Sequence, residues 1–140
     1  MEQERGATAW REIERVYTAW DEALGRKDVA GALALYAPDA TIESPLVRKL
    51  MGTETGVVRG QDELRRFITR VFETQPAERR RHRRDFFTDG RVLMWEYPRE
   101  TPDGEQMDFA EVMEIEGGLI VRHRVYWGWF GLRLMDTKRV

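Results

Sequence analysis

From Thr8 to Leu24 the apolar residues fall at Trp10, Ile13, Val16, Tyr17, Trp20 and Leu24. That spacing is the stripe of an amphipathic helix. Thr8 suits its N-cap and Gly25 its C-terminal stop. Asp28 suits the cap of a second, shorter helix carrying Val29, Leu33 and Tyr36. It ends at Ala37-Pro38-Asp39, because the residue before a proline is pushed out of the helical region. Ala40 to Ser44 reads as a short strand stopped by Pro45. Residues 46–60 mix Gly, Thr and small apolar groups, and read as a long loop with a single helical turn around Val47 to Met51. A third helix is predicted from Gln61 to Glu73, with Asp62 and Glu63 in the first turn, where they favour the helix dipole. Its stripe is Leu64, Phe67, Ile68 and Val71.

After Gln75-Pro76 the period changes to two. Strands are predicted at His82 to Phe87, Arg91 to Tyr97, Gln106 to Glu116 and Leu119 to Phe130. The turns between them are Thr88-Asp89-Gly90, Thr101-Pro102-Asp103-Gly104 and Glu116-Gly117-Gly118. Helices first and then a meander indicate an α+β fold, a curved antiparallel sheet with three helices on one face. No repeat or linker divides the chain, so a single domain over 1–140 is expected, with residues 1–6 disordered.

The last hairpin carries the candidate chemistry. A three-residue loop at Glu116-Gly117-Gly118, a type I turn closed by a left-handed Gly, pairs Ile115 with Leu119. Counting outward, Met113 faces Val121, Glu111 faces His123, Phe109 faces Val125 and Met107 faces Trp127. Side chains two apart share a face. One face is then apolar except for Glu111 and His123, placed directly opposite each other. The other carries Asp108, Glu114, Arg122, Arg124 and Tyr126. A two-residue turn shifts the match by one and brings Arg122 to the apolar side, so the register argument rejects it. A carboxylate beside an imidazole in apolar surroundings suits general acid–base catalysis; a structural ion pair is the other reading of the same two residues.

Composition narrows the classes. The chain has 140 residues, 41% hydrophobic and 11% aromatic, enough for a core without staples. Charged residues make up 34%, yet the net charge is −2, which argues against a polyanion-binding protein and against disorder. There is no Cys, so disulfides and cysteine chemistry are excluded. With two His, a His-rich metal site is not expected, and no metal or other cofactor is assigned. No signal-peptide pattern or membrane-length apolar run is read, so the expected compartment is cytoplasmic. The run Arg79-Arg80-Arg81-His82-Arg83-Arg84 reads as a solvated strand entrance, since no stacking-aromatic motif accompanies it, and no nucleic-acid partner is assigned.

Further lining candidates follow from the same faces. Tyr17 and Trp20 share the first helix's stripe and can offer a hydroxyl and an indole N–H. Phe67, Met94, Phe109, Met113, Val125 and Trp127 supply apolar walls. Glu96 has a side left open by the register of its strand. Ser44 ends the first strand at the mouth, with no G-x-S-x-G elbow or adjacent base to make it a nucleophile.

The segment Ala34-Leu35-Tyr36-Ala37-Pro38-Asp39-Ala40-Thr41-Ile42-Glu43-Ser44-Pro45 resembles the nuclear-transport-factor-2-like superfamily, which includes ketosteroid isomerases and SnoaL-like polyketide cyclases. The closing run Gly117-Gly118-Leu119-Ile120-Val121-Arg122-His123-Arg124-Val125-Tyr126-Trp127 does so too. The resemblance implies a cone, a curved sheet closed by helices around one pocket, and homodimers through the outer sheet face. It carries over in part. The isomerase general base, an Asp before the proline after the first strand, is Ser44 here. The oxyanion-hole Tyr aligns with Trp20, with Tyr17 one turn earlier, and the second oxyanion acid aligns with Glu111. His123 and Trp127 align with apolar lining positions. The resemblance also extends to limonene epoxide hydrolases, but Gly128 or its neighbours stand where those use an Asp, which argues against epoxide hydrolysis. What is implied is a cofactor-free isomerase, cyclase or lyase acting on a hydrophobic small molecule, with Glu111 moving the proton and His123 setting its charge state. A non-catalytic binding module and a dimeric structural module are the alternatives.

Overall fold

The computed structural model describes residues 1–74, 85–97 and 108–128. The basic run 79–84, the turn at 101–104 and Met107 lie outside them. The elements run α1 (Glu2–Arg26), α2 (Val29–Leu33), β1 (Tyr36–Glu43), α3 (Pro45–Met51), β2 (Val57–Arg59), α4 (Gly60–Thr74), β3 (Phe86–Thr88), β4 (Val92–Tyr97), β5 (Phe109–Glu116) and β6 (Leu119–Trp127). The six strands form one curved, unclosed sheet in the order β2-β1-β6-β5-β4-β3. The α+β cone is thus present, with four helices rather than three, and the sheet is mixed, because β1 runs parallel to β6.

α1 is longer than its stripe. It starts at Glu2, where disorder through residue 6 was expected, and the Thr8 hydroxyl bonds back to the Glu4 carbonyl instead of capping. It also runs past Gly25, and Lys27 takes the left-handed closing position, φ 55°. Asp28 caps α2 as expected, its carboxylate accepting from the Gly31 N–H at 2.9 Å. Tyr36, however, is not in that helix. It opens β1, where the Ile120 N–H donates to the Leu35 carbonyl at 2.8 Å. Pro38 has no N–H for a ladder. The register of β1 against β6 accordingly shifts between Tyr36 and Thr41, and the Gln61 side chain of α4 donates to the Tyr36 and Ala37 carbonyls there. The loop expected at 46–60 holds α3 and the short β2, which pairs antiparallel with β1.

The β5–β6 hairpin differs from its expected register in two compensating ways. Gly117 and Gly118 both have positive φ, 57° and 76°, so the turn has two residues and Glu116 pairs with Leu119. A bulge then shifts the register between Glu114 and Ile115, so that Glu114 pairs with Arg122 and Met113 with His123. The two-residue turn alone puts Arg122 among the apolar residues. The bulge absorbs Val121 and returns Arg122 to the outer face and His123 to the inner one.

The inner face carries Leu93, Trp95, Phe109, Met113, Ile115 and Ile120, all buried. α1 covers one side, laying Trp10 and Tyr17 on Phe86 at ring-centroid distances of 5.2 and 4.8 Å. α4 covers β1 and β2 and brings Leu64, Phe67, Ile68 and Phe72 into the same core. Leu93 and Met113 pair across β4 and β5 with no exposed surface. Tyr97, Val125 and Trp127 are only partly buried.

Candidate functional site

Glu111 and His123 share the inner face but do not stand opposite each other. Glu111 opposes Val125 and His123 opposes Met113. The pair is diagonal, a separation that long side chains span. His123 Nε2 lies 2.7 Å from Glu111 Oε1, with the two residues 2% and 5% exposed. The bulge sets the face, and side-chain length closes the remaining gap.

The pair is one end of a longer chain of polar groups. The Tyr36 hydroxyl lies 2.7 Å from His123 Nδ1, and the Trp20 indole N–H donates to the Tyr36 oxygen at 3.0 Å. Four elements thus converge: α1 supplies Trp20, β1 Tyr36, β6 His123 and β5 Glu111. Burial holds the Tyr36 phenol far above its ordinary pKa. The Trp20 bond pulls the other way, and the negative charge of Glu111 adds to the rise. The phenol therefore keeps its proton and can donate it.

Aromatic rings surround the imidazole. Trp20 meets it edge-on at 5.8 Å, Tyr36 stacks at 6.1 Å, and Trp95 lies tilted at 6.5 Å. Tyr17 packs edge-on against Trp95 at 5.6 Å. At the ends of their strands, Phe109 lies 5.0 Å from Tyr97 and 5.1 Å from Trp127. Apolar walls around a single acid–imidazole pair strengthen every charge interaction inside them.

The structure places the other candidates on two sides. Tyr17, Trp20, Phe109, Met113, Val125 and Trp127 are on or over the inner face, and Phe67 lies in the core beneath α4. Met94 and Glu96 are on the outer face, because β4 turns Leu93 and Trp95 inward and alternation sends their neighbours out. They do not line the site. Ser44 is buried at the end of β1, but its hydroxyl accepts from the Leu46 N–H at 3.2 Å and caps α3. Tyr36 is the site residue that sequence reasoning missed. Its signal was present in the quoted segment, but the helix assigned there turned it away from the sheet.

The outer face is charged at one end. Arg124 donates to Glu114 at 2.5 Å, and Arg122 and Arg91 stand 3.7 and 3.8 Å from the same carboxylate. The Arg124 bond is the main reason the Glu114 carboxyl is held below its ordinary pKa. Among the described residues, no helix is long and apolar enough to cross a membrane, and no group of three or more His, Asp or Glu is placed to hold a metal ion.

This architecture, a mixed curved sheet closed by helices around an inner face, is the nuclear-transport-factor-2-like cone. The chain belongs to the SnoaL-like domain family, which matches residues 13–123. Among solved structures, a nuclear-transport-factor-2-like protein of unknown function from Burkholderia pseudomallei is 26% identical at a TM-score of 0.67, covering 86% of this chain and 94% of that one. A SnoaL-like protein of unknown function from Burkholderia thailandensis is 16% identical at 0.68, covering 84% and 95%. TerC, co-crystallized with polyporic acid, is 18% identical at 0.66, covering 87% and 95%, a likeness of fold. No curated protein matches the sequence.

Proposed function

We propose that the chain binds a hydrophobic small molecule in the cone and moves a proton on it without a cofactor, as an isomerase, cyclase or lyase does. The observation that carries this reading is the buried 2.7 Å bond between Glu111 and His123 inside aromatic walls. In the proposed step the Glu111 carboxylate takes a proton from a carbon beside a carbonyl. The electron pair stays on the ligand as an enolate, and the proton returns to another atom. Tyr17, edge-on to Trp95 over the inner face, is proposed as the donor to the developing oxyanion. The co-crystallization of TerC with polyporic acid supports a small organic ligand for a cone of this kind. The test compares wild type with Glu111→Gln in both proton exchange and ligand affinity.

A second reading has one specific observation in its favour. Ser44, which replaces the aspartate of the isomerases, is spent on capping α3. A cone lacking that base can hold a ligand without turning it over. Equal proton exchange in the two forms, with ligand bound in both, is the result that selects this reading.

The homodimer implied by the resemblance is proposed through the outer face. Phe87 and Tyr126 are 62% and 53% exposed there, with Met94 and Val112 on the same face. Apolar groups so arranged mark a contact surface.

A further inference from the structure

Tyr36 is the member of the chain that the proposed reaction leaves unused, and its bonds have a direction. The indole N–H of Trp20 can only donate, so the Tyr36 oxygen accepts it. The phenol hydrogen then has one partner among the described residues, His123 Nδ1 at 2.7 Å. To accept that hydrogen, Nδ1 must be bare. The ring proton is then on Nε2, 2.7 Å from Glu111 Oε1, which accepts it as a carboxylate oxygen. Each of the three contacts holds one hydrogen, and all three point from α1 toward β5.

The reverse arrangement fails at Tyr36. A proton on Nδ1 makes the phenol oxygen accept twice, and the phenol's own hydrogen is left with no acceptor among the described residues, in a residue 4% exposed. A buried donor without a partner is costly. The groups facing His123 are Trp20 from α1, Tyr36 from β1, Trp95 from β4 and Glu111 from β5, and of these only Glu111 carries a charge.

We propose that Tyr36 is a positioning residue: backed by Trp20, it sets His123 with its proton on Nε2 and presents Glu111 to the cone as a carboxylate, a base rather than an acid. The inference rests on the reading of Glu111 as the proton-moving group and adds the form in which it meets the ligand. It follows that the site takes a neutral carbon acid or enol. A ligand already ionised meets a like charge at Glu111.

Nitrogen-15 NMR of the full labelled chain tests this without any ligand, so its outcome is separable from that of the catalytic reading. With two histidines in the sequence, His82→Gln assigns the His123 signals. The expected result at neutral pH is a protonated Nε2 and a bare, hydrogen-bonded Nδ1. In Tyr36→Phe the Nδ1 signal should move to that of a nitrogen without a donor, while in Trp20→Phe the Nε2 proton stays in place. A protonated Nδ1 in the wild type, in either the neutral or the charged ring, overturns the proposal whether or not the variants fold.

Discussion

Tyr36 ties three other residues together with one oxygen atom. Its hydroxyl satisfies the Trp20 N–H and His123 Nδ1 at once, and both partners are inside the cone. Tyr36→Phe keeps the ring and leaves both groups unpaired. Orphaning a buried polar group costs about 1–3 kcal/mol, so the variant should lose about 2 kcal/mol or more. Urea unfolding checks it: the midpoint should fall with an unchanged slope, and an unchanged midpoint contradicts the role of the hydroxyl. Glu111 and His123 were legible as residues, since they are the polar exceptions on an apolar face. Their diagonal pairing was not, and neither was Tyr36, because a side chain's partners depend on how strands from distant parts of the chain are laid together.

The hairpin shows the same limit at the scale of the element. α1, α4, β4 and β5 follow their periodicities, and their cores were readable. β6 breaks its own alternation: Ile120 and His123, three apart, are both buried, and Arg122 between them is exposed. That spacing is the mark of a bulge, which propensity alone does not reveal. β1 was shortened because Tyr36 was assigned to the second helix, ended by the turn at Ala37-Pro38-Asp39. The register shift and the Gln61 side chain accommodate Pro38. The turn is where the hairpin's register begins. Gly118 has φ 76°, and an added Cβ lies 3.3 Å from the Arg15 guanidinium. Gly118→Val should therefore cost over about 1 kcal/mol, because a β-branched residue is strained at positive φ. Gly117→Asn, with open space and φ 57°, should be nearly neutral. Thermal melts of the two variants side by side check the pairing; equal losses contradict the two-residue turn.

For the whole molecule, the inner and outer faces of one sheet differ in chemistry. The inner face is apolar around a single buried acid–imidazole pair. The outer face combines exposed aromatics with the Glu114 ion-pair network. If the outer face joins two copies, sedimentation at micromolar concentration should show a dimer, and Tyr126→Lys should give a monomer with its fold intact; a wild-type monomer contradicts the interface. For the inner face the direct measurement is deuterium uptake from solvent at the acidic carbon of an apolar ring ketone such as 2-tetralone. Wild type should accelerate it, and Glu111→Gln should lose about 10²–10⁴-fold of that rate, the usual contribution of a general base. Ligand affinity should stay within about tenfold, or 1.4 kcal/mol. Equal exchange in the two forms contradicts the assignment of Glu111 as the base.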